Sequence, residues 1–118
     1  MARTLDGTDD FITHSIGGCN ITGPHTLAVI IRRNVDSVSH AMISLTDSTQ
    51  VNERIRMSLN TDERVLYATD GSATGTTSVT LVASEGWSLI VGNKPAGTST
   101  PRLHKYVYGT NTWTHANA

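Results

Sequence analysis

His104, Tyr106 and Tyr108 stand at alternate positions of one run, and Trp113 follows a few residues later. Alternate side chains of an extended chain share a face, so three rings line one side of a strand and a fourth lies close by. Such rings offer flat apolar surfaces on which the apolar faces of sugars stack. Asn93, Thr110, Asn111 and Thr112 supply amides and hydroxyls nearby to bond sugar hydroxyls. The candidate ligand site is therefore His104, Tyr106, Tyr108, Asn111 and Trp113. Packing is the competing role, and on residue type it is the favoured one. Aromatic residues make up only 5% of the chain, and a β-protein with few rings has reason to place them in its core or between subunits.

The remaining chemistry-bearing residues are less well placed. Asp6, Asp9 and Asp10 offer oxygens of the kind calcium takes, and a loop adds carbonyls. Their spacing matches no EF-hand loop, and turn aspartates usually bond their own backbone. No cofactor is expected; calcium at this corner is the alternative. The five histidines, His14, His25, His40, His104 and His115, lack the His-x-His or His-x-x-x-His spacing that sets two imidazoles on one metal. Cys19 is the single cysteine, which excludes an intrachain disulfide and suits a buried thiol. A nucleophilic role would need a histidine to meet it in space. There is no Gly-x-Ser-x-Gly elbow, and Gly71 to Gly75 lacks the lysine of a phosphate loop.

These residues must be positioned by strands. Ser and Thr make up roughly a quarter of the 118 residues, and charged residues only 16%, a composition that favours strands and turns over helices. The length fits one domain, residues 1–118. A net charge of -1 provides no field for nucleic acid or an anionic membrane, so neither is expected as a partner. No charged stretch followed by an apolar one precedes the fold, so synthesis in a cytoplasm is expected. Strands are expected over 11–16, 26–33, 41–46, 53–60, 64–68, 77–82, 87–91, 102–108 and 111–115. Within 53–60, Ile55, Met57 and Leu59 take one face and Arg54, Arg56 and Ser58 the other. Thr26 to Arg33 is aliphatic on both alternating faces, which predicts a central strand covered on both sides. Asn60 to Glu63 and Asp70 to Gly75 read as reversals. An antiparallel meander folding into a sandwich follows.

The run Leu5-Asp6-Gly7-Thr8-Asp9-Asp10-Phe11-Ile12 is an apolar residue, an Asp-Gly corner, two carboxylates and a hydrophobic strand start. It resembles the opening of concanavalin A-like, laminin-G-like jelly-roll domains of phage and bacterial type. The apolar strand about twenty residues further on and the run Trp87 to Val91 are similar to features of the same family. The resemblance, which extends over most of the chain, implies an all-β antiparallel β-sandwich of jelly-roll, concanavalin A-like form. Glucanases of this family carry a Glu-x-Asp-x-Glu-like run on one strand, and none exists here. Glu53, Glu63 and Glu85 stand alone, while Asp9-Asp10 and Asp62-Glu63 are adjacent and point apart if extended. Full domains of the family are longer and finish with strands beside the first. The expectation is an incomplete sandwich completed by oligomerisation with copies of itself or other chains. A non-catalytic binding and assembly module follows, binding a glycan or surface. The alternative is a structural virion or particle-surface protein of decoration or fibre type, and a glycoside hydrolase ranks third.

Overall fold

The computed structural model describes residues 23–37, 39–47, 50–69, 76–97 and 100–117. Eight strands follow in order: β1 (His25–Arg32), β2 (His40–Asp47), β3 (Gln50–Leu59), β4 (Arg64–Thr69), β5 (Thr76–Thr80), β6 (Trp87–Lys94), β7 (Arg102–Val107) and β8 (Thr112–Asn117). They form two four-stranded sheets, β1-β6-β7-β8 and β2-β3-β4-β5, antiparallel throughout. Among the described residues, a 3-10 turn, Ala83–Glu85, lies between β5 and β6. The fold is all-β, as the composition favours. The Asp6–Asp10 corner, the strand expected over 11–16, His14, Cys19 and the reversal at 70–75 lie outside the described residues.

The core forms where period-two alternation from the two sheets meets. Ile55, Met57 and Leu59 of β3, Val65 and Tyr67 of β4, and Val79 of β5 with the adjoining Leu81 come from one sheet. Ile90 of β6 and Leu103 of β7 come from the other, with Leu27, Val29, Ile31, Met42 and Ala116 packed at the margin. Each fully buried aliphatic side chain contributes roughly 1.5–3 kcal/mol. Tyr67 is the largest fully buried side chain, and its bulk explains a glycine on the facing strand. A Cβ on Gly92 would lie 2.8 Å from the Tyr67 ring, so the sheets close here only because β6 has no side chain at this point. The β3–β4 reversal expected at Asn60–Glu63 is present. Asn60 N–H donates to Arg64 O at 2.8 Å, and Glu63, at φ 64°, accepts from Leu81 N–H at 2.7 Å.

β1 departs from the expectation of a central strand. Among the described residues it lies at the edge of its sheet and pairs only with β6. Its burial alternates strictly, with Leu27, Val29 and Ile31 facing inward and Ala28 and Ile30 outward. Aliphatic residues on both faces signal burial on both only when something covers the second face, and sequence periodicity does not report that.

One end of the sandwich is closed by charged groups. Arg33, buried just after β1, donates from Nη1 to Leu81 O at 2.8 Å and from Nε to Val35 O at 2.9 Å, with Asp36 Oδ1 3.5 Å from Nε. Asp36 also accepts from Ala83 N–H at 2.8 Å. Lys105, facing inward from β7, donates to Thr80 O and to Glu85 Oε1, each at 2.6 Å. The two segments in which the chain passes between sheets, after β1 and after β5, are thereby joined to each other and to β7.

Candidate functional site

The inward positions of β6 and β7 are filled by Ser88, Ile90, Gly92 and Lys94, and by Leu103, Lys105 and Val107. Alternation then sends Trp87, Leu89, Val91 and Asn93, and Arg102, His104 and Tyr106, to the opposite face. On β8 the same face takes Trp113, His115 and Asn117, because the β7–β8 register sets Tyr106 opposite Trp113 and His104 opposite His115. The β6–β7 register adds Leu89 beside Tyr106 and Val91 beside His104, and Ile30 of β1 lies beside Leu89. Cross-strand pairing has thus gathered residues remote in sequence into one outward surface.

The rings form a continuous strip. Tyr106 and Tyr108 meet edge to face with centroids 5.1 Å apart, and Tyr106 lies 5.0 Å from Trp113. Trp113 is stacked on His115 at 5.9 Å and 9°, and His115 meets His104 at 4.9 Å. The strip is open to solvent: Trp113 is 50% exposed and Tyr108 46%, while Trp87 and Ile30 continue the surface at 55% and 58%. Val91, His104, Trp113 and His115 line a depression of about 360 Å³.

Packing in the core or between subunits is the role that residue type favours for these rings, and this placement corrects the first of the two. Among the described residues Tyr67 is the ring in the core, aliphatic side chains fill most of the rest, and His104, Tyr106, Tyr108 and Trp113 all lie on the outer face. Asn111 stands at the tight β7–β8 reversal with φ 54°, a left-handed conformation asparagine tolerates better than most residues. Held there, its Oδ1 accepts from the Tyr106 hydroxyl at 2.6 Å, which orients the ring in the middle of the strip. Asn93 donates from Nδ2 to Thr26 Oγ1 at 3.0 Å, giving the surface a polar margin towards β1. All five candidate ligand residues therefore belong to one surface.

His115 was missed as part of the site. Histidine spacing along the chain gave no sign of it, but the hairpin register around the 108–111 reversal places it opposite His104 with Nδ1 atoms 2.6 Å apart. Burial lowers the His104 pKa below the usual histidine value, with His115 and then Arg102 adding like-charge repulsion. The neutral form is favoured at this position. Of the carboxylates expected to stand alone, Glu85 binds Lys105; Asp62, from the adjacent Asp62-Glu63 pair, lies 3.6 Å from Arg64. Asp6, Asp9 and Asp10, the candidate calcium ligands, lie outside the described residues, among which no three metal-ligating side chains converge. No family model, curated protein or solved structure matches the chain.

Proposed function

We propose that this protein is a non-catalytic carbohydrate-binding domain of lectin-like sandwich type, with the outer face of the β1-β6-β7-β8 sheet as its binding platform. One observation carries the reading: the rings are excluded from the core and gathered into an exposed strip, with Trp113 half exposed at its centre. An exposed large apolar strip on a sheet face costs solubility and stabilises nothing by itself, so such patches mark contact surfaces. Tyr106, Tyr108 and Trp113 present ring faces and edges to a sugar. Asn111, Asn93 and His115 supply polar groups at its margin. The likeness of the Asp6–Ile12 run to concanavalin A-like domains supports the same reading. Calcium at Asp6, Asp9 and Asp10 remains part of it only as an accessory to that corner.

A glycan array of the intact chain, followed by titration calorimetry on the best ligand, tests this directly. Trp113→Ala and Tyr106→Ala should each weaken binding about tenfold or more, equivalent to about 1.4 kcal/mol. Unfolding stability should move by no more than about 1 kcal/mol for Trp113→Ala, as for other exposed substitutions. An array without a single bound glycan, or Trp113→Ala binding as tightly as the parent, would overturn the proposal.

A second reading rests on Ile30 and Trp87, which carry the apolar surface across β6 to the β1 edge, beyond the polar groups a sugar would use. It takes the face as an assembly surface between copies in a virion or particle coat, completed by strand pairing at open edges. Light scattering would then report an oligomer that Trp87→Ser and Ile30→Ser dissociate. A monomer at every concentration would dispose of this second reading.

A further inference from the structure

His104 and His115 face each other across the β7–β8 ladder with Nδ1 atoms 2.6 Å apart and rings inclined at 71°. Two ring nitrogens at that distance hold one proton between them. One ring donates its Nδ1–H, and the other accepts with the Nδ1 lone pair and carries its own proton on Nε2. Deprotonation of the shared position leaves two imidazole nitrogens directed into the same small space, which is the donor arrangement borderline transition metals select.

We propose that His104 and His115 form a binding site for one divalent transition-metal ion of the zinc, nickel and cobalt class, held by the two Nδ1 atoms on the outer face of the β7–β8 hairpin. With metal–nitrogen distances of about 2.0–2.1 Å, the two nitrogens would lie about 2.9 Å apart in an octahedral and about 3.3 Å apart in a tetrahedral arrangement. From the present 2.6 Å, an opening of about 0.3 Å meets the first requirement and about 0.7 Å the second. His115 is exposed and His104 half-buried, so ring rotation supplies that movement without shifting the strands. The depression bounded by Val91 and Trp113 leaves room above the pair for water to complete the coordination. Hard cations such as calcium and magnesium prefer oxygen ligands and would not compete.

The surroundings define how the site behaves. On β7 the groups beside the pair on this face are Arg102 and Tyr106. β6 and β8 contribute Val91, Trp113 and Asn117, which carry no charge. The Arg102 guanidinium, next along β7 on the same face, repels the incoming ion. No third protein ligand converges among the described residues. The ion is therefore held by two imidazoles and exchanges readily. The ion would share His104, His115 and Trp113 with the proposed carbohydrate platform, but its binding is measured with no sugar present and stands or falls separately.

Trp113, stacked on His115 at 9°, provides the readout, because nickel and cobalt quench a neighbouring indole. Titrating the full chain with nickel chloride or cobalt chloride at pH 7.5 should give saturable quenching at one ion per chain. Zinc should compete, and magnesium should have no effect. The response should weaken as the pH falls to 5.5, because protons compete with the ion for the ligating nitrogens. His104→Gln and His115→Gln should each weaken binding at least about tenfold, with the circular-dichroism spectrum and unfolding midpoint of the parent. If His104→Gln fails to fold, His115→Gln, at an exposed position, decides the matter. Absence of saturable quenching by either ion, or unchanged nickel affinity in folded His115→Gln, would overturn the proposal.

Discussion

Replacing Gly92 with alanine should lower the unfolding free energy by about 2 kcal/mol. The new methyl would lie 2.8–2.9 Å from three atoms of the Tyr67 ring, and that ring is fully buried with no flexible end to swing away. Overpacking of a well-filled core costs about 1–3 kcal/mol. This position belongs in the upper part of that range, less the roughly 0.5–1 kcal/mol that alanine recovers over glycine in strand backbone. Backbone conformation is not the reason for the glycine, since Gly92 lies outside the left-handed region. The clash is specific to one ring, so a double-mutant cycle isolates it. Tyr67→Leu alone should destabilise by cavity formation, yet Gly92→Ala added to it should cost less than about 1 kcal/mol. Urea unfolding of the four proteins measures this; costs that simply add would show that Tyr67 does not set the glycine requirement.

Glu85→Gln should destabilise by about 2–3 kcal/mol, and Lys105→Met by clearly less. Both remove the same 2.6 Å ion pair, but they leave different remainders. Without the carboxylate, the Lys105 ammonium stays buried, with a side chain only 5% exposed, and keeps the neutral Thr80 carbonyl as its bonded partner. Stranding a buried charge costs about 3–5 kcal/mol, reduced here because the Glu85 side chain is 26% exposed and water reaches its place. Without the lysine, Glu85 turns to solvent and the main loss is one hydrogen bond to the Thr80 carbonyl, about 1 kcal/mol. Methionine fills most of the space the lysine stem occupied. Denaturant midpoints for the two variants give the ordering, and Lys105→Met proving the more damaging would refute this account of the Lys105–Glu85 pair.

Much of the sheet structure was legible because it rests on local alternation. Ile55, Met57 and Leu59 point inward as their period demands, and the Asn60–Glu63 reversal joins the strands it was expected to join. β1 was expected to be covered on both faces, yet Ile30 is exposed, because periodicity reports which residues are apolar, not which neighbours cover them. The candidate site was legible in membership: His104, Tyr106, Tyr108, Asn111 and Trp113 do share a surface. Its orientation was not, since nothing within 102–108 distinguishes the ring-bearing face from the face carrying Leu103, Lys105 and Val107. A rule of thumb would have sent the lysine outward. The lysine goes inward because Glu85 and the Thr80 carbonyl meet it there, contacts about twenty residues and more away in sequence. His115 was hidden for a related reason, as its partnership depends on hairpin register and not on linear spacing.

The order of the ring-bearing sheet also bears on how the molecule comes to exist. Strands β6, β7 and β8 are consecutive, joined by short connections, whereas β1 reaches its partner β6 only by closing a span in which His25 meets Lys94. Loop closure costs entropy that rises with length, and contacts between distant residues form late when local ones can form first. The topology therefore implies that two hairpin meanders, β2 to β5 and β6 to β8, assemble early and that β1 docks last. Every aromatic ring of the candidate site belongs to the second meander, so the strip is laid down before the domain is sealed. A refolding chain would display it to solvent while β1 is still undocked. Stopped-flow refolding gives a direct check: Val29→Ala in β1 should chiefly accelerate unfolding, and a slowed refolding rate would reverse the order inferred here.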